Sequence, residues 1–378
     1  MSKANLIYFN QLYLDHPKVQ TVLNDYNYDW QSLSRRAKWE TGMNTLYTRS
    51  GINNLPFKNT IAKFINAEMP RYDNTFNLTF AECVDKRVLE LSERLADKKW
   101  QILWSGGIDS TCVFLAIIKN LHRSYWENIE VVCNRFSIYE NPNLYYNFIK
   151  PNFQVKEYYN HMSTENLDRH YIIDGNPCDN LFMSGNVIEI LGNRLDNYTK
   201  PWRTNKDYIV QLFSPVLGKQ ASKWFVDFTS ESLASTNVPN QTIFDFLWWT
   251  RFNQGWINQR LKTLAINTSV NYQSYCNGYV QFFDTHDFEQ WSMNNNSPEL
   301  KYGLDFSDYK KVVKQYIYDI DHNHYYFNYK TKGHSSTVSA RDEETLGAFA
   351  LLDDGTVVNL KTNLDDIIDL LPNHIQIG

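Results

Sequence analysis

Between residues 80 and 175 the chain alternates short apolar runs with amphipathic stretches. Over 80–97, Cys83, Val88, Leu89, Leu91 and Leu95 are set among Glu, Asp, Lys and Arg, which predicts a helix with one apolar face. Trp100-Gln101-Ile102-Leu103-Trp104 has strand length, and the run from Ser110 to Lys119 predicts an apolar helix of about three turns. Further apolar runs at 128–133, 153–158 and 171–174 predict strands, with helical segments at 143–150 and 180–191. Strands alternating with helices predict a parallel sheet covered on both faces, whose ligands bind beyond the carboxyl ends of its strands.

Outside that region the pattern changes. From residue 201 the alternation is lost. The stretch 244–262, with Phe246, Leu247, Trp248, Trp249, Trp256, Ile257 and Leu261, reads as helix, and further helical pieces follow. Near the C-terminus, 348–352 and 356–360 flank Asp353-Asp354-Gly355 as a β-hairpin, and a helix begins near Asn363, a suitable cap. The N-terminal part is less regular: 5–9 suits a strand, 18–33 an uneven helix, and 51–56 a loop. The expected fold class is α/β, a parallel sheet with flanking helices, plus a mainly helical C-terminal half. The expected division is 1–80, a segment of unassigned role; 81–200, the α/β core; 201–335, the helical part; and 336–378, the terminal hairpin and helix.

Length and composition narrow the function classes. The chain has 378 residues, enough for two or three modules. With 43% hydrophobic and 21% charged residues it is globular rather than disordered. A net charge of −5 without a basic run does not favour nucleic acid as a partner. The aromatic residues suit core and interface packing better than base stacking. Five widely spaced cysteines with no Cys-x-x-Cys pair argue against a zinc knuckle or a disulfide framework. Free thiols, no apolar stretch of membrane-spanning length and no signal-peptide pattern place the expected location in the cytoplasm, away from membranes.

The chemistry concentrates in Ser105-Gly106-Gly107-Ile108-Asp109-Ser110-Thr111. Gly106 and Gly107 let the backbone turn tightly and let a ligand approach its N–H groups. The helix that follows offers unpaired N–H groups and the positive end of its dipole to an anion. Ser105, Ser110 and Thr111 add hydroxyls. Asp109 would repel a bare phosphate but suits one carrying Mg²⁺, so the stretch calls for a magnesium–polyphosphate. It lacks the Gly-Lys-Ser/Thr ending of a Walker A loop and the third glycine of a dinucleotide fingerprint.

Ser-Gly-Gly-x-Asp-Ser after a strand resembles the pyrophosphate loop of the ATP pyrophosphatases, enzymes that cleave ATP to AMP and pyrophosphate while adenylating a substrate. The resemblance runs over about residues 100–332, is strongest at the loop, and is closest to the synthetase domain of asparagine synthetases. It implies an adenine nucleotide alpha hydrolase-like, Rossmann-like core, with ATP and Mg²⁺ as nucleotide and metal. Asp174-Gly175-Asn176-Pro177-Cys178-Asp179-Asn180-Leu181-Phe182 resembles the family's Gly-Glu-Gly-Ser-Asp-Glu-Leu-Phe. On that match Asp179 joins Asp109 at the metal, although Pro177 replaces a glycine and Asn180 a glutamate. A plain helix cap by Asp179 is the other reading of the corner.

The resemblance also implies nucleoside contacts at Phe136 and Ser137, which follow the strand at 128–133. The neighbouring Arg135 suits either a phosphate or a surface carboxylate. Tyr279-Val280-Gln281-Phe282-Phe283-Asp284 stands beside the family's Arg-Val-Pro-Phe-Leu-Asp, and Lys301 resembles its lysine ahead of a helix. Tyr329-Lys330-Thr331-Lys332-Gly333 resembles its Arg-x-Lys-x-Gly segment, so Lys330 or Lys332 is the implied catalytic cation facing pyrophosphate. Asn277 falls where asparagine synthetases carry a catalytic glutamate, which makes plain asparagine synthesis doubtful. His322-Asn323-His324 lacks acidic or sulfur partners at metal-site spacing and reads as loop.

Position 2 is Ser2, and about a hundred residues ahead of the loop are too few for the family's glutaminase domain, so glutamine hydrolysis is not expected. The expected function is adenylation of a small-molecule carboxylate followed by attack of ammonia or an amine, with the ammonia free or supplied by a separate partner. The alternatives are a relative that modifies a nucleobase or RNA, and a nucleotide-binding module without turnover.

Overall fold

The structure is a computed structural model that describes residues 4–8, 69–94, 97–157, 162–183, 195–266, 270–303, 308–330, 349–352 and 357–359. Its strands are β1 (Ala4–Tyr8), β2 (Lys99–Leu103), β3 (Ile129–Cys133), β4 (Gln154–Glu157), β5 (His170–Asp174), β6 (Tyr279–Gln281), β7 (Phe349–Leu352) and β8 (Val357–Asn359). Its principal helices are α1 (Phe80–Arg94), α2 (Ile108–Asn120), α3 (Arg135–Glu140), α4 (Cys178–Leu181), α5 (Lys206–Leu217), α6 (Lys219–Ala234), α7 (Ile243–Ile266), α8 (Tyr272–Gly278), α9 (His286–Asn294), α10 (Lys311–Asp321) and α11 (His324–Tyr329). No described helix is long and apolar enough to cross a membrane.

The chain divides into two compact units that are not continuous in sequence. One comprises residues 72–185 and 273–340; the other comprises 1–71, 186–272 and 341–378. The division expected from the sequence was drawn as consecutive blocks. Chain segments far apart in sequence instead complete each unit.

The first unit is α/β. Its five strands are all parallel, in the order β4-β3-β2-β5-β6. β2 is central: the chain leaves it toward β3 on one side and later returns to β5 on the other. Ligands of open parallel sheets bind at such a reversal, outside the carboxyl ends of the strands. β2, β3 and β5 follow the expected apolar runs, and β3 is buried along its whole length. β4, expected as another buried run, is an edge strand exposed at both ends. β6 falls within the half expected to be helical. Its three residues carry too short a pattern to announce a strand, and pairing with β5 (Ile172 with Tyr279, Asp174 with Gln281) is what defines it.

Helices cover this sheet for reasons visible in their sequences. α1 opens with a capping box: the Thr79 backbone N–H and hydroxyl both donate to Glu82 Oε2 at 2.7 Å, while the Glu82 N–H donates to Thr79 Oγ1 at 3.2 Å. It buries Phe80, Cys83, Val84, Val88 and Leu91, whereas Leu89, expected on the apolar face, is half exposed. Leu95 lies outside the described residues. α2 begins at Ile108, two residues ahead of the expected start, and buries Cys112, Val113, Phe114, Leu115, Ala116 and Ile117. The helix expected over 180–191 is described only as the single turn α4; its remainder lies largely outside the described residues. The segment after β3 is the helix α3.

The second unit is largely helical where described. α5 and α6 meet at Gly218, which has φ +79°, a conformation that favours glycine. The 24-residue α7 buries Trp248, Trp249, Phe252 and Trp256 as a run of neighbouring rings, Trp248 stacked on Phe252 and Trp256 edge-on to it. In this unit β7 pairs antiparallel with both β8 and β1. The helices expected over 18–33 and from residue 363, and the loop expected over 51–56, lie outside the described residues.

Candidate functional site

The site grows from the junction of β2 and α2. After Leu103 the chain turns through Ser105-Gly106-Gly107, and Gly106 adopts φ +73°. A Cβ at Gly106 would collide with the Ser137 carbonyl oxygen and approach Glu140 Cβ to 2.7 Å, so only glycine fits beneath α3. The loop is tied to itself. The Ser105 N–H donates to Ser110 Oγ at 3.0 Å, the two hydroxyl oxygens lie 2.9 Å apart, and the Gly107 N–H donates to Ser105 Oγ at 3.3 Å. Gly107 is the capping position just ahead of α2, and no side chain caps the helix there. The helix end therefore presents its positive dipole and N–H groups toward the loop.

A second corner closes on the first. Gly175, after β5, packs so tightly on the start of α2 that a Cβ there would lie 2.9 Å from Asp109 Cβ and 3.0 Å from Ser110 N. The chain passes through the cis Asn176–Pro177 peptide into α4, where Asp179 stands in the first turn. No side chain caps α4, so the capping alternative for Asp179 is set aside. Asn180 beside it is fully buried with neither end of its carboxamide hydrogen-bonded, an unusual state for a finished core.

Asp109 and Asp179 converge on one cation that the sequence did not single out. Lys310 Nζ lies 2.5 and 2.6 Å from the two Asp109 oxygens and 2.6 Å from Asp179 Oδ1. The Tyr309 hydroxyl donates to the same Asp179 oxygen at 2.7 Å. The rings of Tyr309 and Phe182 flank the ammonium, with centroids 5.3 and 5.7 Å away. Burial works against the charge on Lys310. The carboxylates of Asp109 and Asp179 outweigh it and hold the ammonium above the ordinary lysine value.

The other expected residues fall into place unevenly. Lys330, at the end of α11, pairs with Glu140, and the Tyr326 hydroxyl donates to the Gly106 carbonyl at 3.2 Å, so α3 and α11 meet over the loop. Lys332 lies outside the described residues. Thr111 is fully buried and its Oγ1 accepts from the Trp104 indole at 3.2 Å. Ser137 forms the capping box of α3 with Asn134, donating to Asn134 Oδ1 at 3.2 Å. Phe136 is partly exposed, with the Arg135 guanidinium 4.8 Å from its ring centre.

Two positions singled out by resemblance lie elsewhere. Lys301 is buried but donates to the Leu181 carbonyl at 2.7 Å, to Asn296 Oδ1 at 2.9 Å and to Ser292 Oγ at 3.1 Å. Asn277 is exposed and precedes β6, hence toward the amino edge of the sheet, where its Oδ1 accepts from Gln273 at 3.0 Å. Asn277 therefore stands apart from the loop at the carboxyl edge. Burial pushes the Cys112 and Cys178 thiols well above their ordinary range, which makes both poor nucleophiles.

This donor set suits magnesium carried by a polyphosphate. Among the described residues no three His, Cys, Asp or Glu side chains converge as a self-contained metal cage. Mg²⁺ on a nucleotide needs only one or two protein carboxylates, because phosphate oxygens and water complete its shell. Asp109 and Asp179 supply that number beside a helix N-terminus. Compared with models of known protein families and with curated proteins, the chain matches none.

Proposed function

We propose that the chain is an ATP-dependent, adenylate-forming ligase with the adenine nucleotide alpha hydrolase type of α/β core. The observation that carries this reading is the convergence of Asp109, Asp179 and Lys310 at the glycine-preceded N-terminus of α2, on the switch point of a parallel sheet. The α2 N–H groups and the hydroxyls of Ser105 and Ser110 hold the phosphates. Asp109 and Asp179 hold Mg²⁺, which when bound screens the charge of the leaving pyrophosphate. Lys310, beside the acid pair and turned onto the phosphates, and Lys330 across α3 add positive charge where pyrophosphate charge develops.

In the proposed reaction a substrate carboxylate oxygen attacks the α-phosphorus of ATP and the bond to the β-phosphate oxygen breaks, releasing pyrophosphate. An amine or ammonia nitrogen then attacks the acyl carbon and AMP leaves. The residues at the loop contribute positioning and charge neutralisation. The test is phosphorus NMR of the protein with Mg-ATP and a pool of amino acids, amines and ammonium. AMP and pyrophosphate, lost in Asp109→Ala, are expected, and omitting pool members one at a time identifies the acceptor. ADP and phosphate would overturn the reading.

A further inference from the structure

Lys310 is built into its position. Its side chain is 2% exposed, and its backbone has φ 55°, a left-handed conformation that is uncommon and costly for a residue with a Cβ. It stands immediately before α10, and its Nζ reaches across 201 residues of sequence to Asp109. Both oxygens of Asp109 and Oδ1 of Asp179 are within hydrogen-bond distance of that one nitrogen. The acids themselves are more open, with a quarter or more of each side chain accessible.

We propose that in the nucleotide-free protein Lys310 fills the seat between Asp109 and Asp179 and bars a free divalent cation from it, so that metal enters only together with a polyphosphate. This rests on the phosphate reading above. An ammonium and a divalent ion cannot share the same pair of carboxylates, since their repulsion at such distances is large. Mg²⁺ also gives up its water reluctantly, and two acids already offset by an ammonium offer it little in return. A polyphosphate changes both conditions. Its oxygens give Lys310 a new partner, which releases the carboxylates, and they supply the ligands that two carboxylates lack. Lys310 then acts as a positioning residue that couples metal entry to nucleotide entry.

The probe is Mn²⁺, followed by the loss of its free-ion electron paramagnetic resonance signal, which requires no turnover. Wild-type protein is expected to leave the signal intact without nucleotide and, once a non-hydrolysable ATP analogue is added, to take up Mn²⁺ beyond what the same analogue binds without protein. Lys310→Met keeps the apolar stem and removes the charge; it is expected to bind Mn²⁺ without nucleotide at least about tenfold more tightly than wild type. Adding Asp179→Asn should abolish that gain. Lys310→Arg keeps the charge and should still exclude the ion.

Nucleotide-free binding of Mn²⁺ by wild type that disappears in Asp179→Asn overturns the proposal, as does a folded Lys310→Met protein with no gain. Should Lys310→Met fail to fold, the wild-type, Asp179→Asn and Lys310→Arg titrations decide it. Equilibrium dialysis of the analogue with Mg²⁺ separates the two layers. No analogue bound by wild type overturns the phosphate reading and this inference together; analogue bound while Mn²⁺ also binds alone overturns only the inference.

Discussion

Toward the amino edge of the parallel sheet, Glu130 on β3 lies 2.7 Å from the ammonium of Lys156 on β4 and accepts from Gln101 on β2 at 2.8 Å. At the carboxyl edge, Asp109 and Asp179 share Lys310. Both places set acids against a lysine, but the hidden partner is reversed. Glu130 is 4% exposed while Lys156 is 39% exposed. Lys310 is 2% exposed while Asp109 and Asp179 are 25% and 28% exposed. At the amino edge a buried acid is satisfied by neighbouring strands and the open charge is a flexible lysine: an anchor within the sheet. At the carboxyl edge the buried charge is cationic and the accessible groups are oxygens, which is the arrangement a metal–phosphate ligand can use.

The contrast makes different variants fail in different ways. The largest effect should fall on turnover at the carboxyl edge. Asp109→Ala should lower AMP formation by at least about a hundredfold, of the order seen when one preorganised electrostatic partner is removed. Its circular dichroism should remain that of the wild type. Glu130→Gln should leave turnover where it is, and a comparable loss there would dissolve the distinction.

Next comes the loop itself. Gly106→Ala forces a Cβ into a left-handed backbone position and against the Ser137 carbonyl. Denaturant unfolding should show a loss of about 3 kcal/mol or more, combining backbone strain with overpacking. Wild-type stability in this variant would mean that α3 does not pin the loop.

A smaller effect belongs to the amino edge. Glu130→Gln removes the charge facing Lys156, whose partial exposure softens the loss, and should cost about 1–2 kcal/mol in denaturant unfolding. The pH dependence has a definite sign. Burial works against the Glu130 charge, but hydrogen bonds from Lys156 and Gln101 and the Lys156 charge hold its carboxyl below the ordinary glutamate value. Its contribution is therefore full above that ordinary value and is lost as pH falls through the lowered folded value. In Glu130→Gln the acid limb of the thermal melting profile should flatten.

The smallest expected effect is at Asp174, the last residue of β5. Burial pushes its carboxyl up to about 6, against hydrogen bonds from Tyr279 and Asn176. A carboxyl raised in the folded state binds its proton more tightly there than in the unfolded chain, so stability falls as pH rises from the ordinary aspartate value through about 6. Asp174→Asn should remove that slope and raise the melting temperature at pH 8 by a few degrees. A slope unchanged by the substitution would assign the titration to another group.

Much of the sheet was legible because β2, β3 and β5 are apolar runs bounded by turn residues, and the loop because its glycines and acid stand together in sequence. β6 was not. Three residues cannot display a period, and it exists through pairing with β5. Lys310 was missed for a similar reason. It sits in a tyrosine–lysine–lysine run that reads as surface, and its burial arises from α10 closing on α2. One signal was present: Lys310 and Lys314 stand four residues apart around Val312-Val313. That spacing sets one lysine just ahead of the helix and another in its first turn beside an apolar pair, and Lys314, also buried, pairs with Asp308. Naming Lys330 or Lys332 followed the family's order along the chain, but the carboxylates choose by distance.

The contact of Gly175 with Asp109 and Ser110 bears on whether the loop could be moved to another protein. The stretch from Ser105 to Ser110 looks self-contained because its hydroxyls bond to one another. Yet a bare backbone arriving from β5 sets the height at which α2 begins, and α3 roofs Gly106 from a third place in the chain. Grafting the six residues alone onto a foreign strand and helix would carry over the spelling without the shape. The transferable unit is the joint of three strand ends, and its smallest indispensable member is a residue with no side chain.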